Sequence, residues 1–286
     1  MDGTAQLALR GISRGLHLAG YFAAFGTMFL QAAFLRGGEL RGVKLLAWAG
    51  CGVALLAGCA WFALQTAYFV SAQNFAGLIS AIPAVLQYTR FGALLPGRMA
   101  ALLLAALLFQ ANRPRLAALL AFIGVVAEAW LGHGGAMPGR LGNVLLATSI
   151  LHLAAAALWL GTLPALFLAV AKLPEPGPLV RRYSLFGIGC VAVLLLTALV
   201  QYVILIARPA ALFASGYGAL ALVKIILLAT LIAIAAYNRL CLTPALPASR
   251  MVLRRAIGTE ILLGLLVLVA AGLLLQFAPP AMVHTG

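Results

Sequence analysis

Carboxylates are scarce in this chain. Only 5 Asp and Glu stand against 19 Lys and Arg in 286 residues, and 8% of all residues are charged. A soluble globular domain carries about a quarter charged residues, so an ordinary water-exposed surface is excluded. Strand-like alternation of apolar and polar residues is missing, which excludes a transmembrane β-barrel. The four cysteines, Cys51, Cys59, Cys190 and Cys241, form no C-x-x-C pair. Three of them fall inside apolar runs, where small thiols pack like any other small residue, and no disulfide framework is indicated. There is no GxxxxGK[ST] phosphate loop, no phosphorylation domain of a P-type pump, and no HExxH or GxSxG. Those absences remove ATP-driven pumping and intramembrane hydrolysis. No turnover chemistry is indicated, so the chain is not expected to be an enzyme. Its two halves show no internal repeat, which argues against a standard secondary transporter.

What is present is apolar sequence. Hydrophobic residues make up 65% of the chain, and the mean hydropathy is +1.11. Runs of about 18 or more apolar residues recur throughout, each long enough to cross a hydrocarbon core about 30 Å thick. The expected fold is all-α: a polytopic transmembrane helix bundle, one domain over 1–286, with about eight spans. They are placed at about 11–34, 45–70, 97–111, 116–133, 143–170, 184–206, 217–237 and 257–277. Residues 71–96 carry Asn, Gln, two prolines and Arg90, and read as a loop with a short interfacial helix. The apolar part of the first span, Gly15–Phe34, exceeds the roughly 7–15 residues of a signal-peptide core and ends in no A-x-A site, so it reads as retained. The loops are too short to bury a core of their own.

The formal charge of +14 sits singly or in pairs between apolar runs. There it sets orientation and meets anionic headgroups of the lipid bilayer; nucleic acid is not the expected partner. Loops on the side away from the N-terminus hold Arg36, Arg41, Lys44, Arg113, Arg115, Lys172, Arg181, Arg182, Arg239, Arg250, Arg254 and Arg255. The other side holds Arg10, Arg14, Arg90, Arg98, Arg140 and Arg208. Twelve against six places both termini outside, in the periplasm of a bacterial inner membrane.

In that orientation the histidines collect in the outer half. His17 lies roughly 9 Å and His152 roughly 13 Å below the outer face at 1.5 Å per residue. His133 closes a helix at that face, and His284 sits in the tail. His17 shares a helical stripe with Tyr21 and Met28, and His152 shares one with Trp159, near Thr148 and Ser149. Imidazole ligates copper, thioether suits Cu(I), and imidazole also ligates haem iron. Two readings of these histidines stand open: a shared metal site, or interhelical hydrogen bonds. Met137, in the outward "GHGGAMPG" segment, is a candidate ligand at the mouth. Glu128 cannot stay ionised and alone in hydrocarbon, where a charge costs about 2.5–3.5 kcal/mol on the lenient scales. Two readings stand: a proton- or cation-linked role, or a purely structural ion pair with Lys224 as the candidate partner. Glu260 reads as a first-turn residue favoured by the helix dipole.

The segments "LHLAAAALWLGTLPAL", "RRYSLFGIGCVAVLLLTALVQYVILI", "SGYGALALVKIILLATLIAIAAYNRLCLTPAL" and "RRAIGTEILLGLLVLVAAGLL" follow in order over about residues 150–275. Together they resemble the copper resistance protein D family. The shared pattern is His then W-x-G, R-x-S-x-x-G, the Y-G-x-x-x-x-x-K run Tyr217–Lys224, the N-R-x-x-x-x-P exit and a Glu opening the last helix. The upstream "EAWLGHGGA" is similar to the family's GHA segment, interrupted by Gly134, and extends the likeness to a core over about 115–277. The resemblance implies an eight-span inner-membrane copper-handling protein that moves copper inward or passes it on. It also implies a small periplasmic copper-binding protein of the copper resistance protein C type as a separate partner. Distant kinship to haem-bearing membrane cytochromes keeps haem b as the alternative cofactor. On this reading copper binds His17, His152, His133 and Met137, while Glu128, Lys224, Trp159 and Tyr21 set charge along the ion path.

Overall fold

The computed structural model describes residues 3–35, 40–72, 74–206 and 208–283; Arg36 and His284 lie outside them. Helix α1 (Gly3–Ala33) stands at the centre. Around it follow α2 (Val43–Phe69), α3 (Phe75–Tyr88), α4 (Arg90–Gln110) and α5 (Pro114–Ala127). Next come the single-turn α6 (His133–Ala136), α7 (Gly139–Trp159), α8 (Leu163–Lys172), α9 (Gly177–Leu205) and the short α10 (Ala211–Ala214). The chain ends with α11 (Gly216–Tyr237), α12 (Arg250–Leu274) and α13 (Pro280–Val283). A 3₁₀ turn, Glu128–Leu131, extends α5, another, Leu160–Thr162, joins α7 to α8, and a π turn, Asn238–Leu242, closes α11. No strand occurs among the described residues.

Local chemistry sets several boundaries. Asn74, Thr89 and Ser215 cap α3, α4 and α11 by accepting the backbone N–H three residues on, the usual service of a short oxygen-bearing side chain. Pro114 opens α5 at a position that needs no N–H.

Seven helical segments among the described residues are long and apolar enough to cross a membrane, counting α7 and α8 as one. Helix α1, 31 residues and roughly 46 Å long, has the length of a span but a less lipid-like composition, and is not among the seven. It packs against α2, α4, α5, α7, α8 and α12, so its Arg10, Arg14 and His17 face protein and not lipid. Glycines allow that crowding. A Cβ on Gly20 would lie 2.5 Å from the Ala54 amide nitrogen, and one on Gly26 would lie 2.0 Å from the Gly161 carbonyl carbon. Small residues let backbones meet where lipid supplies no hydrophobic drive between helices.

Helix α3, with 14 residues, is about 21 Å long and too short to span, as the loop reading of 71–96 expects. Four starts differ from expectation, the first being α1, which begins at Gly3 rather than about 11. Helix α4 begins at Arg90, α9 at Gly177 and α12 at Arg250, because each span continues past its apolar run into polar residues. Glu260 is therefore ten residues into α12 and 3% exposed. The first-turn reading of Glu260 is corrected: the dipole of α12 does not account for it.

The two faces of the bundle also differ in packing. Helix α9 lies on α7, and α11 lies chiefly on α12, leaving a cavity between α9, α11 and α12.

Candidate functional site

Arg10, Arg14, His17 and Tyr21 recur at helical spacing along one buried stripe of α1. His17 is fully buried, and its Nδ1 lies 2.8 Å from the Ala54 carbonyl oxygen on α2. A carbonyl only accepts, so Nδ1 carries the hydrogen and Nε2 holds the lone pair. That Nε2 is buried with no partner. Its neighbours are the Tyr21 and Trp61 rings, each 5.8 Å away between centroids. Gly58 makes room: a Cβ there would come 2.8 Å from His17 Nδ1 and 3.0 Å from Met99 Sδ. The Nδ1 edge of the imidazole and the Met99 thioether thus both border Gly58.

Beside this pair lies a charge cluster. Arg14 donates through Nε and Nη2 to Glu128 Oε1, at 3.0 and 2.6 Å, and through Nη2 to the Leu131 carbonyl at 3.0 Å. Arg98 donates to Glu128 Oε2, and through Nε to the Gly124 carbonyl at 2.7 Å. Tyr21 O–H donates to the Arg98 carbonyl at 3.2 Å. Two guanidiniums therefore hold one carboxylate, and the pairing of Glu128 with Lys224 is corrected. The arginines reach Glu128 because 3₁₀ geometry at Glu128–Leu131 turns it toward α1 and α4.

The other candidate residues lie on other interfaces. His152 sits between α7 and α9 with Nδ1 2.9 Å from Thr197 Oγ1. The Thr197 hydroxyl donates to the Val193 carbonyl at 2.7 Å, so it accepts from Nδ1–H, and His152 too keeps its lone pair on Nε2. His133 stacks obliquely on Tyr217 at 5.9 Å, with Nε2 buried and unpartnered. Burial, helped by the positive Arg14 and Lys224, pushes its imidazole down to about 4. Lys224 is half-buried, within electrostatic range of both His133 and His152, and has no carboxylate partner among the described residues. Met137 packs beside Leu145, Leu205 and Tyr217. Trp159 is buried facing the cavity of α9, α11 and α12, away from His152. Among the described residues no three of His, Cys, Asp and Glu come together as a metal-holding group.

Sequence reasoning missed Met99, Trp61, Thr197 and the roles of Arg14 and Arg98. The signal for Arg14 was its place one turn from His17 on the same stripe. Counting Arg10, Arg14 and Arg98 as loop charges was a further error: all three are buried. Of the six charges assigned to that side, Arg90, Arg140 and Arg208 are not buried.

Comparison with known families agrees with this architecture. The copper resistance protein D profile matches residues 177–274, and that of the copper resistance protein D-like, N-terminal domain matches residues 5–143. The chain belongs to the copper resistance protein D family. No curated protein and no solved structure gives a match. Membership gives this multi-pass membrane protein a role in copper resistance. The N-terminal match contains His17, Met99, Glu128 and His133, and the C-terminal match contains Thr197, Lys224 and Glu260.

Proposed function

We propose that the protein sits in a bacterial inner membrane with both termini in the periplasm, binds copper in the outer half of the bundle, and passes it inward. One observation carries the reading: His17 Nε2 is a buried lone pair with no partner, on a ring oriented by the Ala54 carbonyl. Metal-ligating histidines are held this way through their second nitrogen. The Met99 thioether across Gly58 is a soft donor suited to Cu(I). The cluster of Arg14, Arg98 and Glu128 carries net positive charge, which penalises a divalent ion more than a monovalent one. Cu(I) is the cargo that both features favour.

His133 and Met137 stand at the mouth in this reading, and His152, with its Nε2 lone pair, is a further station beside Lys224. Tyr21 orders the Arg98 backbone, and Glu128 keeps the two arginines from repelling the ion outright. With no nucleotide motif in the sequence, the membrane potential supplies the drive, about 2.3 kcal/mol per charge per 100 mV. A separate periplasmic copper-binding protein of the copper resistance protein C type would deliver the ion.

The test is metal content and visible spectrum of the purified protein in detergent. Wild type should retain copper, and His17→Leu should bind it at least about tenfold more weakly, as loss of a ligand or its support does. His152→Leu should keep binding but slow copper passage in proteoliposomes. A Soret band lost in His17→Leu would instead make this a haem protein.

A further inference from the structure

The cavity between α9, α11 and α12 has a volume of about 290 Å³, and its polar groups have no part in the copper reading. Glu260 lines it, 3% exposed, and receives a single hydrogen bond, from Asn238 Nδ2 at 3.2 Å. No Lys, Arg or His of the described residues pairs with it. Arg239, the one cationic residue lining the cavity, directs Nη1 to Ser184 Oγ at 3.0 Å. A carboxylate out of water must be neutralised, paired or hydrated, and this one has only an amide.

The amide is itself incompletely satisfied. Asn238 is 7% exposed, lines the same cavity, and its Oδ1 has no partner. Two acceptor groups thus adjoin, with one donor between them. The π turn Asn238–Leu242 brings Asn238 and Arg239 to the cavity together, and such turns recur at functional sites. Ser184, Thr243 and Tyr183 add oxygens to the lining, and no His, Cys or Met lines it. Oxygen donors suit hard cations and not Cu(I). One carboxylate balances one positive charge.

We infer that Glu260 and Asn238 Oδ1 form a second, oxygen-lined site that takes up one monovalent cation, a proton or a sodium ion, through this cavity. The groups facing it are few. Helix α9 offers Tyr183 and Ser184, the π turn and its exit offer Arg239 and Thr243, α7 offers the Trp159 indole, and α12 offers Glu260 alone. The Tyr183 hydroxyl is already engaged, donating to the Trp159 carbonyl at 2.7 Å and accepting from Thr162. Glu260 is the one group of the lining free to exchange its counter-charge. The site does not depend on copper binding near His17.

The experiment uses the copper-free full chain in lipid nanodiscs, as wild type, Glu260→Gln and Asn238→Ala. The unfolding midpoint is followed over about pH 5 to pH 9 without sodium, then against NaCl at fixed pH with choline chloride holding ionic strength. A cation that binds only the folded state raises stability with its concentration. If the occupant is a proton, wild type should gain on acidification relative to Glu260→Gln. A protonated-carboxyl infrared band, absent from the Gln variant, should accompany that gain. If it is sodium, the midpoint should rise with NaCl in wild type and the rise should vanish in both variants. Identical responses of wild type and Glu260→Gln to acid and to sodium overturn the site. Should Glu260→Gln not fold, Asn238→Ala decides: it must shift the carboxyl band or weaken the sodium response, and no change in either overturns the site as well.

Discussion

Glu128 and Glu260 are both buried carboxylates in helices that cross the bundle, yet their surroundings differ in kind. Glu128, 2% exposed, is gripped by Arg14 and Arg98, and every oxygen has a charged donor. Glu260, 3% exposed, has one amide donor and an open cavity beside it. The first arrangement ties α1, α4 and the end of α5 together and leaves neither carboxylate oxygen unpaired. The second leaves charge uncompensated where something can enter. Burial alone therefore does not say whether an intramembrane acid is structural or exchangeable; the partners decide.

The sharpest way to break the comparison is to neutralise each acid. Glu128→Gln leaves two buried guanidiniums sharing no carboxylate, and stripping one partner from a buried pair costs about 3–5 kcal/mol. Its unfolding midpoint in detergent should fall far below wild type, whereas Glu260→Gln at neutral pH should stay close to it. Equal losses would place both acids in one structural class.

A smaller effect tests the packing of the two regions. At Gly58 an added Cβ meets His17 Nδ1 at 2.8 Å and Met99 Sδ at 3.0 Å, while at Gly187 it meets only the Trp159 ring at 3.7 Å or more. Gly58→Ala should destabilise by about 1–3 kcal/mol, as overpacking does, and weaken copper retention. Gly187→Ala should be neutral or slightly stabilising, by up to about 1 kcal/mol of helix propensity. Thermal melts and copper content of the two variants check this.

The smallest effect concerns the mouth beside Glu128. His133 is held at about 4 in the folded protein against an ordinary 6.5. The unfolded chain then binds the extra proton first, so stability falls as pH drops from about 6.5 toward 4. His133→Gln should flatten that part of the pH profile of the unfolding midpoint, and an unchanged slope would assign the loss to other groups.

Much of the fold was legible because apolar run length reports lipid thickness directly. Seven of the expected spans and the short helix within 71–96 needed no tertiary information. Helix starts at Gly3, Arg90, Gly177 and Arg250 were misjudged for the same reason in reverse, since a helix does not stop where its apolar run stops. The buried arginines of α1 were invisible as site residues because hydropathy treats every Arg as a surface group. Only a central helix, shielded by its neighbours, can carry three polar side chains inward.

The sequence by itself determined the class of molecule and the likeness to copper resistance proteins, since these follow from composition, run length and ordered motifs along one dimension. The tertiary structure alone decided which partner each polar group found: Arg14 and Arg98 for Glu128, the Ala54 carbonyl for His17, Thr197 for His152, and almost nothing for Glu260. Those choices depend on which faces of eight helices meet, and the sequence spacing within any one helix carries no record of its neighbours.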